Sequence, residues 1–185
     1  MAQIRIRALQ PSDAFTYVPG LTLFYLPDLQ AEEQGPRRIR LRRLLHQLLT
    51  RQGLVPSDRT LDLSVRPEHP QLSLSLSHSG PVGAIGWTHK PVSLGVDIEL
   101  LSRLTSRIIA RVSSAAERES APRAEWLWSA KEAAFKSHSE KIEVISSVEI
   151  FDWQAVSASQ WRFRARRAGA SSASFGAGEL RLIQG

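Results

Sequence analysis

The stretch Gln71-Leu-Ser-Leu-Ser-Leu-Ser-His78-Ser-Gly80-Pro-Val-Gly-Ala-Ile-Gly-Trp87-Thr-His-Lys-Pro91-Val-Ser-Leu-Gly-Val-Asp97-Ile-Glu99-Leu100 decides how this chain folds. Leu72, Leu74 and Leu76 alternate with Ser73, Ser75 and Ser77. A period of two fits a strand with one buried face. Gly80-Pro81 is a turn signal. Val82–Trp87 and Val92–Leu100 read as two more strands, with a turn around residues 89–91. The expected product is a three-stranded meander.

Upstream, Leu41, Leu44, Leu45, Leu48 and Leu49 fall at i, i+3, i+4, i+7 and i+8, one stripe of a helix. Pro36 and Gly53 bracket it in the expected order. Its other face carries Arg37, Arg38, Arg40, Arg42, Arg43, His46 and Arg51. Residues 1–9 and Leu21–Leu26 read as strands. Downstream, a helix is expected over residues 103–112. Ser114-Ala-Ala-Glu117 has the capping-box pattern that opens another helix. Pro122 to Ser137 reads as a third helix. Val144–Trp153, Trp161–Arg166 and Glu179–Ile183 read as antiparallel strands.

Strands and helices in mixed order, without regular βαβ alternation, give an α+β fold. The chain divides near residue 100 into two similar halves, 1–100 and 101–185. Each holds a three-stranded antiparallel sheet and one long helix, and the two pack as one body.

Composition narrows the function. The 185 residues are 42% apolar, enough for a sizeable core. There is no cysteine, which excludes disulfides, thiolate catalysis and zinc–thiolate sites. The first ten residues lack the apolar run of a signal peptide, and no stretch approaches the length of a membrane span. A cytoplasmic protein with no membrane partner is the expectation. The net charge of +6 favours acidic partners: nucleic acid, phosphorylated small molecules or an acidic protein surface.

The chemistry concentrates in two motifs. In Gly95-Val-Asp97-Ile-Glu99 the carboxylates stand at i and i+2. On a strand they share one face, roughly 7 Å apart. Two adjacent carboxylates repel unless a cation lies between them or one holds a proton. Hard oxygen ligands suit Mg²⁺, which also binds phosphates. In Trp128-Ser-Ala-Lys131-Glu132-Ala-Ala-Phe135-Lys136, residues 128, 132 and 136 share a helix face. Glu132 can therefore supply a third carboxylate, with Lys136 one turn on. Each motif alone fits ordinary surface charge better; the combination favours a site. Ser77-His78 ends a strand and offers donors to a phosphate. Neighbours on a strand face opposite sides, so the two form no nucleophile–base pair. The arginine face of the first long helix can cradle phosphates or simply be solvated. Arg38 sits near its positive end.

Ser-His-Ser-Gly (77–80), Gly-Val-Asp-Ile-Glu (95–99) and Trp-Ser-Ala-Lys-Glu-Ala-Ala-Phe-Lys (128–136), in that order, resemble the 4′-phosphopantetheinyl transferases. The closer resemblance is to their longer, pseudo-dimeric class, which includes the surfactin-synthetase and enterobactin-synthase activators. It spans roughly residues 36–140. It implies a holo-[acyl-carrier-protein] synthase that moves 4′-phosphopantetheine from coenzyme A to a serine of an apo acyl or peptidyl carrier protein. Asp97, Glu99 and Glu132 match the Mg²⁺-binding acids, and Glu132 also the base toward the carrier serine. Lys136 matches the lysine near the pyrophosphate, and Lys131 stands in the same motif. Ser77 and His78 match the pair that contacts coenzyme A phosphates. Arg38 stands where the family has an arginine for the 3′-phosphate. Arg66, before Pro67, resembles a basic residue near the nucleotide. Glu117 matches a recurring position with a structural or auxiliary role. Ser137-His-Ser-Glu-Lys replaces the Gly-x-Gly-Leu-like stretch of many members. The resemblance implies a monomer. The rival readings are a nucleic-acid-binding protein, such as a metal-dependent nuclease, and a non-catalytic relative kept as an interaction scaffold, which would not need the intact acids and Lys136. The aromatics are not interleaved with the basic helix and no nucleic-acid signature appears, so no nucleic-acid partner is expected.

Overall fold

In a computed structural model, residues 7–8, 21–26, 37–55, 71–89, 92–137, 144–169 and 176–182 are described. The first sheet contains β1 (Arg7–Ala8), β2 (Thr22–Leu26), β3 (Ser73–Ser79) and β4 (Val82–Thr88). Its order is β1-β2-β4-β3, and every pairing is antiparallel. Of the strand expected over residues 1–9, Arg7–Ala8 lie within the described residues. The β3–β4 hairpin turns at Gly80, whose φ of +54° is open to glycine at little steric cost.

The leucine stripe forms α1 (Arg37–Arg51), with Leu41, Leu44, Leu45, Leu48 and Leu49 buried. They pack on Phe24, Leu26, Leu72, Ile85 and Trp87 from one face of the sheet. Phe24 and Trp87 stack with ring centroids 5.0 Å apart. Each buried leucine contributes about 2 kcal/mol relative to exposure, and this fixes α1 against the sheet.

The opposite sheet face corrects the sequence reading. Residues 92–100 form no strand, although they run extended. β4 already has β2 on one edge and β3 on the other, so no edge of it is open to a third meander strand. The segment instead lies as a strap over the face that carries Ser75, Ser77 and Ser79. Serine hydroxyls supply its partners. Ser73 donates to the Val92 carbonyl, the Val96 amide donates to Ser75 Oγ at 2.8 Å, and the Leu100 amide donates to Ser79 Oγ at 3.3 Å. The serine side of β3 is consequently buried, whereas Leu74 and Leu76 are only partly so.

Downstream come a 3₁₀ turn (Leu101–Arg103), α2 (Ser106–Val112), α3 (Ala115–Ser120) and α4 (Trp126–Ser137). Thr105 caps α2 through the Ile108 amide, and Ser114 with Glu117 forms the expected capping box on α3. The second sheet is β5 (Val148–Ser157), β6 (Gln160–Arg167) and β7 (Gly176–Arg181), in that order and antiparallel. Ile109, Leu127, Ala130, Val148, Ile150, Phe163 and Ala165 form its core with α2 and α4. The fold is α+β, with a helix packed on each antiparallel sheet. No helix among the described residues is long and apolar enough to cross a membrane.

Candidate active site

The strap reaches α4 through Gly95. A Cβ there would lie 1.8 Å from the Ala133 carbonyl oxygen, so only glycine lets the two backbones meet. This contact brings Asp97 and Glu99 beside Glu132 and Lys136.

Lys136 donates to Asp97 Oδ1 at 2.7 Å, to Ser77 Oγ at 3.0 Å and to the Val96 carbonyl at 3.3 Å. Its ammonium is 3.9 Å from Glu132 Oε2. Ser77 in turn donates to Asp97 Oδ1 at 2.7 Å. Glu99 accepts from Ser79 Oγ and from the Leu100 amide, and Arg103 stands 4.0 Å away. Arg103 also donates to Ser79 Oγ at 3.1 Å. Asp97 Oδ2 is buried with no hydrogen-bond partner.

Burial pushes the Glu99 carboxyl above its ordinary range; the Leu100 amide and Arg103 oppose this, while Asp97 and Glu132 add to it. Glu132 is raised too, chiefly by burial, with Lys136 opposing and Asp97 adding. Glu99 and Glu132 thus sit in a desolvated site beside Asp97, with Lys136 and Arg103 offsetting part of the repulsion between the acids. Among the described residues, no three His, Asp or Glu side chains are gathered tightly enough to hold a metal ion. Glu99 is drawn toward Ser79 and Arg103, and Lys136 stands between Asp97 and Glu132. The donor chemistry nevertheless fits a hard divalent cation: three carboxylates, two with raised proton affinity, and a buried oxygen with no partner. Asp97 and Glu99 also line a cavity of about 370 Å³ at the seam between the sheets, with Tyr25, Trp126, Phe163 and Glu179.

The other predicted residues are dispersed. His78 is exposed and, by strand alternation, on the face of β3 away from Ser77. Arg38 is exposed in the first turn of α1. Arg66 lies outside the described residues. Lys131 is fully buried. Its ammonium lies 2.6 Å from Glu117 Oε1 and donates to the Val148 carbonyl. Glu117 also accepts from the Ile150 amide at 3.0 Å and the Ser114 amide at 2.9 Å. Lys131 therefore ties α4 to α3 and β5 instead of facing a ligand. A position one residue from Glu132 turns about 100° around the helix, away from the site. Trp128 packs against the second core.

Sequence reasoning missed Ser75, Ser79, Gly95 and Arg103. The signal was present in the unbroken serine alternation. Four hydroxyls at period two on one strand face suit a polar ladder better than open solvent.

Residues 93–180 match the model of the 4′-phosphopantetheinyl transferase superfamily, a stretch just under half of the 185-residue chain. The match takes in Asp97, Glu99, Glu132 and Lys136 and supports that family. Ser77, His78 and Arg38 lie before it. A comparison of the chain with curated proteins gives no match.

Proposed function

We propose that this chain transfers 4′-phosphopantetheine from coenzyme A to a serine of an apo acyl or peptidyl carrier protein and releases 3′,5′-ADP. The observation that carries the reading is the meeting of Asp97 and Glu99 on the strap with Glu132 and Lys136 on α4, inside the stretch that matches the superfamily. In this reading Mg²⁺ is held by Asp97, Glu99 and Glu132. When bound, it neutralises charge at the pyrophosphate.

The remaining work falls to side chains. Glu132 takes the proton of the carrier serine. The serine oxygen bonds to the phosphorus nearest the pantetheine, and the bond from that phosphorus to the bridging oxygen breaks. Lys136 stabilises the charge left on 3′,5′-ADP. Ser77 orients Asp97. His78, Arg38 and Arg66 are proposed contacts for coenzyme A phosphates, on the strength of the family resemblance. The same resemblance supports the longer, pseudo-dimeric class, with halves 1–100 and 101–185, and a monomer.

The test mixes the protein with coenzyme A, Mg²⁺ and a panel of apo carrier proteins and weighs each carrier. A mass gain of one phosphopantetheine on some carrier is expected; none across the panel rejects the assignment. Asp97→Ala is expected to lower the rate by about 10²-fold or more, as loss of a major electrostatic group does. Its far-UV circular dichroism should stay unchanged.

A further inference from the structure

Lys136 is held more completely than a substrate-binding lysine needs to be. An ammonium has three donors. All three find oxygen within hydrogen-bond range: Asp97 Oδ1, Ser77 Oγ and the Val96 carbonyl. Glu132 stands just beyond, at 3.9 Å. The cage is built from three separate elements: β3 gives the hydroxyl, the strap gives the carbonyl and one carboxylate, and α4 gives the other carboxylate and the lysine itself. The side chain is only one-quarter exposed. So held, its donors are spent on the protein. The same carboxylate, Asp97, carries the buried oxygen with no partner. A divalent cation on Asp97 and the Lys136 ammonium on Asp97 are like charges within a few ångströms, and in a desolvated site they repel each other strongly.

We infer that Lys136 is the internal counter-ion of this acid cluster. It occupies Asp97 until a divalent cation enters, and then leaves the Ser77–Val96–Asp97 cage with its donors free for an incoming pyrophosphate. The inference rests on the proposed metal-dependent transfer and adds a coupling to it. Lys136 lowers the affinity of the empty site for the cation, and the cation presents Lys136 to the anionic substrate. By linkage the two ligands then favour each other. The lysine thereby offsets part of the cluster's negative charge in the absence of substrate, and loading becomes an exchange of one cation for another.

The experiment titrates Mn²⁺ alone into the full chain, without coenzyme A, and reads free Mn²⁺ by electron paramagnetic resonance. Mn²⁺ shares the oxygen-ligand preference of Mg²⁺. Lys136→Met keeps the unbranched stem of the side chain and removes the charged end. It is expected to bind Mn²⁺ about tenfold tighter than the natural chain, within the usual span of coupled sites. Equal or weaker binding overturns the inference. Asp97→Asn separates the two readings. If it binds Mn²⁺ as well as the natural chain, the metal assignment itself falls. If it loses Mn²⁺ while Lys136→Met shows no gain, only the counter-ion role falls. Absence of Mn²⁺ binding in both the natural chain and Lys136→Met overturns both. A second measurement needs no variant. Acetic anhydride labelling of the natural chain, read by peptide mass, is expected to be faster at Lys136 with saturating Mn²⁺ than without. An unchanged or slower rate overturns the exchange even if the methionine variant fails to fold.

Discussion

Lys131 and Glu132 are neighbours in sequence with opposite fates. Lys131 shares its helix phase with Leu127, four residues earlier, and both are fully buried. Glu132 shares its phase with Lys136 and meets the strap. The period of α4 therefore already held the distinction. What it could not reveal was the partner, because Glu117 lies on another helix and reads locally as a capping residue. Glu117 serves both ends: one oxygen closes the capping box and the other meets Lys131 and the Ile150 amide. Removing one member of a buried pair leaves an uncompensated charge and typically costs about 3–5 kcal/mol. Lys131→Met is thus expected to lower the free energy of unfolding by an amount of that order, measured by urea titration. Lys131→Met with Glu117→Gln should recover much of the loss, because no buried charge is then left alone. Full stability in the single variant would remove the structural account of Lys131.

Among the elements, the helices and the β3–β4 hairpin were readable, and the distant partner of β4 was not. A stripe of leucines fixes its own helix, since the period and the brackets are local. Ser114 and Glu117 likewise reveal a helix start within four residues. Pairing between β2 and β4 joins strands separated in the chain by α1 and β3 and leaves no local mark, so the meander reading gave β4 the wrong second neighbour. The strap is the consequence, and Gly95 is its fixed point. Gly95→Ala forces the strap off α4, since its Cβ would overlap the Ala133 carbonyl. Overpacking of this kind costs about 1–3 kcal/mol. The variant is expected to melt lower and to lose transfer activity together, measured by calorimetry and the carrier mass assay. Unaltered activity would mean that the strap–helix contact does not set the site. In the second sheet, Glu149 and Arg166 face each other in register across β5 and β6. They form a two-point contact of 2.7 and 2.8 Å. The Arg166 hydrogen bonds hold the Glu149 carboxyl below its ordinary value of 4.5, against a smaller opposing effect of burial. A depressed folded-state value means that the pair stabilises the fold above pH 4.5 and loses this as pH falls through the lower folded value. The melting temperature of the natural chain should therefore drop more on acidification through that window than that of Glu149→Gln. Parallel curves would show that solvent screens the pair completely.

Across the whole molecule, the candidate site draws on both sheet–helix layers. Ser77 comes from β3 of the first sheet and Asp97 and Glu99 from the strap over it, whereas Glu132 and Lys136 come from α4, which packs on the second sheet; α4 and the strap are the seam. Sequence motifs reported each contribution separately, and helix phase made their meeting reasonable. The close approach itself depends on a glycine without a side chain and on serines that turn inward, features that no periodicity rule scores. This architecture has a measurable consequence. A ligand that binds only the folded state at a hundred times its dissociation constant stabilises that state by about 2.7 kcal/mol. If that ligand is coenzyme A with Mg²⁺ bound across the seam, stabilisation must reach both sides of it. Hydrogen exchange is expected to slow together in β3, in the strap over 92–100 and in α4 when both are added. Exchange should slow far less with coenzyme A alone, because the acids then still face an anion without a cation between them. Protection confined to one sheet and its helix would contradict a site shared by both layers. It would move the functional reading to whichever layer responds.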